Sequence, residues 1–164
     1  MPVVLDSTVS LDLADEAATG RLAAAIAASA RPGDLIALTG DLGAGKTAFA
    51  RAFVRARAGA DIDVPSPTFT LVQTYDLPSG PIWHVDLYRT ERPEEARELG
   101  LDEALADAIV LIEWPERLGP AFGAALAANR LDLTLAFGIG ENERRARLTG
   151  HGSLARRLRS LKLS

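Results

Sequence analysis

Gly40-Asp41-Leu42-Gly43-Ala44-Gly45-Lys46-Thr47 fits the phosphate-loop pattern G-x-x-x-x-G-K-[ST] at each fixed position. Its flanks are those the pattern requires. Leu35-Ile36-Ala37-Leu38 is a short unbroken apolar run, as expected of a strand covered on both faces. Ala48–Ala58 reads as a helix, with Phe49 and Phe53 four residues apart. Glycines let successive N–H groups turn inward around a phosphate with no Cβ in the way. The following helix adds the positive end of its dipole. Lys46 then reaches the β- and γ-phosphates, and the Thr47 hydroxyl is suited to Mg²⁺. Lys46 and Lys162 are the only lysines among 18 basic residues. A chain that otherwise uses arginine for charge thus places a lysine inside its glycine loop. Asp41, Leu42, Gly43, Ala44, Gly45, Lys46 and Thr47 are the expected nucleotide contacts.

Upstream of the loop, Val3–Leu5 and Val9–Leu13 are strand-like, and Asp12 and Asp15 are candidate helix N-caps. Glu16–Ser29 has a helical pattern with Leu22, Ala25 and Ile26 on one side, stopped by Arg31-Pro32-Gly33-Asp34. Downstream, Pro-rich bends at Val64–Pro67 and Leu77–Pro81 separate strand-like Thr68–Tyr75 from Ile82–Tyr88. Glu94–Leu99 and Leu101–Ala106 read as short helices around Gly100, and Ala108–Ile112 as another buried strand. Ala121–Ala128 is Ala-rich and helix-like. Leu131–Phe137 and Arg145–Thr149 form a predicted hairpin, and Ser153–Leu163 a closing basic amphipathic helix. The 164 residues hold no repeat and no long linker, so residues 1–164 read as one α/β unit.

Composition narrows the function. At 48% hydrophobic and 24% charged the chain is ordinary globular protein. Its lack of cysteine removes disulfides, zinc–thiolate sites, iron–sulfur clusters and thiol nucleophiles. No run of about 18 apolar residues is present. The opening MPVVLDSTVSLDLADEA carries acids where a signal peptide needs a basic start. A cytoplasmic protein without a membrane partner is expected. The net charge of −4 conceals a split: no acid follows Glu143, but Arg144, Arg145, Arg147, Arg156, Arg157, Arg159 and Lys162 do. The first 143 residues hold 11 basic against 22 acidic side chains. Such a body argues against coating nucleic acid, while the basic tail could be a solvated helix, a partner face or a nucleic-acid contact.

A phosphate loop needs a carboxylate across the site to hold metal or polarise the attacking water. Asp86 follows Ile82-Trp83-His84-Val85, and Glu113 follows Ile109-Val110-Leu111-Ile112. Glu113 has the cleaner Walker B pattern, with an acid at the carboxyl end of an apolar strand. Either could instead be a solvated strand-end acid. Val64-Pro65-Ser66-Pro67-Thr68-Phe69 is a stiff loop where switch proteins sense the γ-phosphate, and equally could be a plain Pro-Ser turn. His84 and His151 are isolated, and His84 reads as a packed or hydrogen-bonded strand histidine. Asn129-Arg130-Leu131-Asp132 imitates a guanine-reading motif but follows a helix-like stretch instead of a buried strand.

Four motifs in sequence order, G-D-L-G-A-G-K-T at Gly40–Thr47, S-P-T-F at Ser66–Phe69, H-x-D-L-Y-R at His84–Arg89 and I-E-W-P-E at Ile112–Glu116, resemble those of the TsaE (formerly YjeE) family. The resemblance covers roughly residues 8 to 150 and implies a P-loop NTPase-like three-layer fold, a mixed parallel/antiparallel sheet flanked by helices. It implies a Mg²⁺-dependent ATPase binding ATP or ADP in the machinery that makes threonylcarbamoyladenosine in tRNA. TsaD and TsaB would be its partners, with weak or no direct tRNA binding. By resemblance Lys46 and Thr47 serve the phosphates and Mg²⁺, Glu113 is the metal acid, and Asp86 a second catalytic or metal-linked acid. Thr68 lies in the switch-like loop, Trp114 beside the site, and Asp15-Glu16 near the base. Ala48 stands where a second Thr is common, but the required hydroxyl is Thr47.

Two rivals remain at this level: a small-molecule kinase, and a nucleotide-gated binding module with little hydrolysis. A kinase needs an arginine-rich lid that excludes water. Arg89, Arg92 and Arg97 sit among Glu91, Glu94, Glu95 and Glu98, the composition of a solvated face.

Overall fold

The computed structural model describes residues 7–119 and 127–163, so Val3–Leu5 and most of Ala121–Ala128 lie outside the described residues. In chain order the elements are β1 (Ser7–Leu13), α1 (Glu16–Ser29), β2 (Leu35–Thr39) and α2 (Lys46–Ala58). Then come β3 (Val72–Leu77), β4 (Gly80–Asp86), α3 (Pro93–Arg97), α4 (Leu101–Ala104) and β5 (Ile109–Glu113). A short 3-10 helix (Pro115–Leu118), β6 (Arg130–Phe137), β7 (Arg144–His151) and α5 (Ser153–Ser160) complete them.

The seven strands form one sheet in the order β1-β7-β6-β2-β5-β4-β3. Its centre is parallel: β2 pairs with β5 and β6, and β5 with β4. Antiparallel β7, β1 and β3 extend the two sides. Side chains alternate between the faces of a strand. Leu35, Val85, Val110 and Ile112 therefore enter one core, with Ala96, Leu101 and Leu118. Ile36, Leu38, Ile109 and Leu111 enter the other, with Leu22 and Ile26 of α1 and Phe49 and Phe53 of α2. Each buried phenylalanine contributes about 1.5–3 kcal/mol through the area it removes from water. Two cores on one sheet make three layers, as the resemblance implies.

Several boundaries differ from the sequence reading. The strand predicted from Thr68 begins at Val72, because Leu71 takes a left-handed φ of 67° and its N–H donates to Pro67 O at 2.7 Å. A closed turn therefore occupies Pro67–Leu71. The next strand ends at Asp86 instead of Tyr88, whose N–H is taken by Asp86 Oδ1 at 2.9 Å. The closing helix ends at Ser160, and Leu161 is extended. The two short helices are shorter still than predicted, meeting at a left-handed Gly100 (φ 76°). Of the two candidate caps, Asp15 accepts from Ala18 N at 2.9 Å, whereas Asp12 lies in β1 and pairs with Arg145 at 3.2 Å. On α1 Ala25 is half-buried, the buried face being Thr19, Leu22, Ala23, Ile26 and Ala27.

The motif Asn129–Asp132 lies at the opposite end of the sheet from the phosphate loop, since Arg130 is level with Leu35 and Thr134 with Thr39. Asn129 is structural there. Its backbone O accepts from Leu35 N at 3.0 Å, and its side chain accepts from Ser153 N at 2.8 Å.

Candidate nucleotide site

Parallel pairing brings the carboxyl ends of β2, β5 and β4 together. The first runs into the phosphate loop, the second ends in Glu113, the third in Asp86, and these two acids are register partners. This is the crevice where open α/β sheets hold ligands. The loop depends on glycine at two points. A Cβ on Gly40 would lie 2.5 Å from Leu135 O of β6, and Gly45 caps α2 at a φ of 111°.

Lys46 is buried, folding back over the loop to donate to Gly40 O and, at 3.0 Å, to Asp41 O. Its Nζ lies 4.1 Å from the Trp114 ring centroid, a cation–π contact. Desolvation holds its pKa below the usual lysine value, while Glu113, Glu116, Asp86 and Asp41 act the other way. Thr47 Oγ1 donates to Glu113 Oε1 at 2.8 Å. Thr68 Oγ1 donates to Asp86 Oδ2 at 2.9 Å and lies 2.8 Å from Ser66 Oγ. Trp114, the residue after Glu113, takes a left-handed φ of 61°, a conformation costing a bulky residue about 1–3 kcal/mol. Its ring lies against Tyr88, at 5.1 Å between centroids.

Leu42, Gly43, Gly45, Lys46, Thr47, Thr68, Asp86, Glu113 and Trp114 line one cavity of about 340 Å³. Among the described residues no arginine lines it. Arg89 instead lies 4.2 Å over the Phe69 ring, and Arg92 lies 3.9 Å from Glu95. On the other side of the loop a second cavity, about 260 Å³, is lined by Glu16, Thr19, Ala44, Asn142 and Arg144 among others. Of Asp15-Glu16, then, Glu16 faces the loop and Asp15 is spent on the helix cap. Asp41 contributes its backbone carbonyl.

The donors suit magnesium in its usual form. Mg²⁺ takes hard oxygen ligands, retains waters, and is commonly held by one or two carboxylates together with substrate phosphates. Thr47 and Glu113 present adjoining oxygens, with Asp86 on the next strand. No cluster of three or more His, Cys, Asp or Glu able to cage an ion occurs among the described residues. Such a set fits a metal that arrives with phosphate better than a resident structural ion.

Sequence reasoning missed the hydrogen-bond role of Ser66, the packing of Tyr88 and the presence of Asn142 and Arg144 beside the loop. The sequence reads His84 as a packed or hydrogen-bonded histidine and names no partner for it. That partner is Glu113, with Nε2 2.7 Å from Oε2. A signal was present in H-x-D: residues two apart on a strand share a face, so His84 stands on the face of Asp86. Nothing in the spacing marks the β6–β7 connection as a wall of the site.

The loop, the two strand-end acids and the sheet order define an α/β protein of the P-loop class. A model of the family described as threonylcarbamoyl adenosine biosynthesis protein TsaE matches residues 13–146. The chain belongs to the TsaE family. It is 37% identical over 136 residues to the TsaE of Bacillus subtilis, covering 82% of this chain and 81% of that one. To the TsaE of Rickettsia felis it is 47% identical over 106 residues, covering 65% of this chain and 62% of that protein. The match thus spans less than two-thirds of that relative's length. The crystal structure of Bacillus subtilis YdiB superposes with a TM-score of 0.75 at 30% identity, over 95% of this chain and 94% of that one. Among the described residues no helix is long and apolar enough to cross a membrane.

Proposed function

We propose that this chain is the Mg²⁺-dependent, ATP-binding and ATP-hydrolysing component of tRNA threonylcarbamoyladenosine synthesis. In this reading it works in the cytoplasm on TsaD and TsaB and leaves the group transfer to them. The supporting observation is the contact between Thr47 of the phosphate loop and Glu113 of the neighbouring strand, at 2.8 Å. The relatives' names supply the pathway. Lys46 leaves the loop carbonyls to contact the β- and γ-phosphates of ATP. Thr47 and Glu113 would hold the metal, with Asp86 next to them; the metal, when bound, neutralises charge across those phosphates. Asp86 and the Ser66–Thr68 hydroxyls stand where they can orient the attacking water. Turnover of the isolated chain is expected to be slow, since a charge supplied in trans can be worth about 10³–10⁵ in rate.

Weak or absent direct tRNA binding fits the fate of the basic tail. Arg144 donates to Gly43, Glu141 and Glu143 carbonyls, Arg145 pairs with Asp12, and Arg157 with Asp34. Arg147, Arg156, Arg159 and Lys162 are the exposed remainder. The test is phosphate release from ATP with no acceptor present, alone and with TsaD–TsaB, together with a pull-down on that pair. Release that rises with the pair, and association that depends on ATP, are expected. A phosphorylated small molecule as the product would instead identify a kinase. Hydrolysis without association in either nucleotide state would remove the pathway and leave the ATPase.

A further inference from the structure

His84 is fully buried on β4, two residues before Asp86. Its Nε2 lies 2.7 Å from Glu113 Oε2, while the other oxygen of that carboxylate, Oε1, accepts from Thr47. Among the described residues its buried Nδ1 has no hydrogen-bond partner. Burying a polar ring with one nitrogen unsatisfied costs free energy that an apolar side chain of similar volume avoids. Packing alone therefore does not account for a histidine here. What it supplies is the bond to Glu113.

That bond is placed where the backbone gives up control. Glu113 is the last residue of β5, and Trp114 turns the chain into the left-handed region immediately afterwards. A glutamate side chain has rotamer freedom that must be given up for its carboxylate to be held in one orientation, so orienting it needs fixed partners. Thr47 alone cannot provide the orientation, because in the nucleotide reading its hydroxyl turns to the metal. We infer that His84 is a positioning residue: its Nε2–H donates to Oε2 and fixes the Glu113 carboxylate so that Oε1 stays directed at Thr47 and the metal. This rests on reading Glu113 as a metal-side acid. Partners that orient a metal-binding carboxylate typically change metal affinity or activity by about 10–100-fold when removed.

The test uses the full chain and Mn²⁺ as the probe, read by its electron paramagnetic resonance signal in the presence of ADP. His84→Leu is expected to weaken Mn²⁺ binding by about 10–100-fold. By linkage it should weaken binding of the metal–nucleotide complex by the same factor, lower kcat/KM for Mg–ATP, and leave metal-free ADP affinity little changed. His84→Gln, whose amide N–H reaches toward the same oxygen, should recover most of that loss. His84→Asn, one carbon too short to reach Glu113, should not. This pair keeps the comparison open even if the leucine variant fails to fold. Wild-type Mn²⁺ affinity in a folded His84→Leu protein would overturn the inference. So would equal losses in the Gln and Asn variants tracking a fall in thermal midpoint, which would make the side chain a packing element. Glu113→Gln separates the two readings. If it weakens Mn²⁺ binding and His84→Leu does not, His84 alone is misassigned; if it has no effect, the metal role of Glu113 falls, and the inference with it.

Discussion

Asp34 and Glu113 are each 2% exposed, lie at opposite ends of the same sheet, and are answered in different ways. Asp34, just before β2, accepts from both terminal nitrogens of Arg157 at 2.7 Å, and from Arg31 N at 2.7 Å. Glu113 is met by a hydroxyl and an imidazole, and Asp86 by a hydroxyl and a backbone N–H. Among the described residues neither of these two acids has an arginine fork. A buried carboxylate matched by a fixed guanidinium is finished, and its work is to hold α5 against the rest of the molecule. In the proposed function, carboxylates held by hydroxyls, N–H and imidazole face a cation that comes and goes. On that reading burial alone does not separate structural acids from functional ones; the partners do.

The largest effect is expected at the Asp34 end of the sheet. Asp34→Ala leaves Arg157 without its counter-charge and is expected to cost about 3–5 kcal/mol in urea unfolding. Replacing both residues with apolar ones should recover much of that loss. Glu113→Gln should do the reverse: unfolding close to wild type, with phosphate release reduced about 100-fold, equivalent to about 2.7 kcal/mol. If Glu113→Gln unfolds the protein and Asp34→Ala does not, the contrast is inverted and wrong. A smaller effect is expected from Thr68→Val, which deletes the donor to Asp86 Oδ2. Roughly tenfold slower turnover, about 1.4 kcal/mol, is the outcome to check by single-turnover kinetics. At the exposed tail, Arg156→Gln with Arg159→Gln should shift stability by no more than about 0.5 kcal/mol, unlike any change at Arg157.

Lys46 gives the smallest effect, through pH. Its folded pKa is lowered by desolvation, so the native state holds this proton less tightly than the unfolded chain. The resulting destabilisation is fully present below the folded pKa. It is relieved as pH rises through that value toward the ordinary 10.5. A thermal-midpoint series over that range should show the rise in the wild type and lose it in Lys46→Met.

The loop was legible because its residues act locally: eight consecutive positions, an apolar strand before and a helix after. Glu113 was legible for a related reason, as an acid ending an apolar run. What hid from the sequence depends on pairing between distant segments. Asp34 meets Arg157, 123 residues away, a pairing that the run of basic residues in the tail does not reveal. His84 meets Glu113 only through the register of two parallel strands joined by a long crossover. The extended reading of Thr68–Tyr75 failed because alternating side chains cannot reveal the left-handed Leu71 that closes the turn after Pro67. That turn is what brings Thr68 onto Asp86.

In the proposed function the strand-end acids serve a metal brought with nucleotide. Calorimetric titration with a non-hydrolysable ATP analogue, with and without Mg²⁺, on the wild type and Glu113→Gln tests it most directly. Mg²⁺ should tighten binding to the wild type, and this gain should largely vanish in the variant while metal-free binding persists. An equal Mg²⁺ effect in both proteins would remove the metal role of Glu113, and no binding to the wild type at all would remove the nucleotide site.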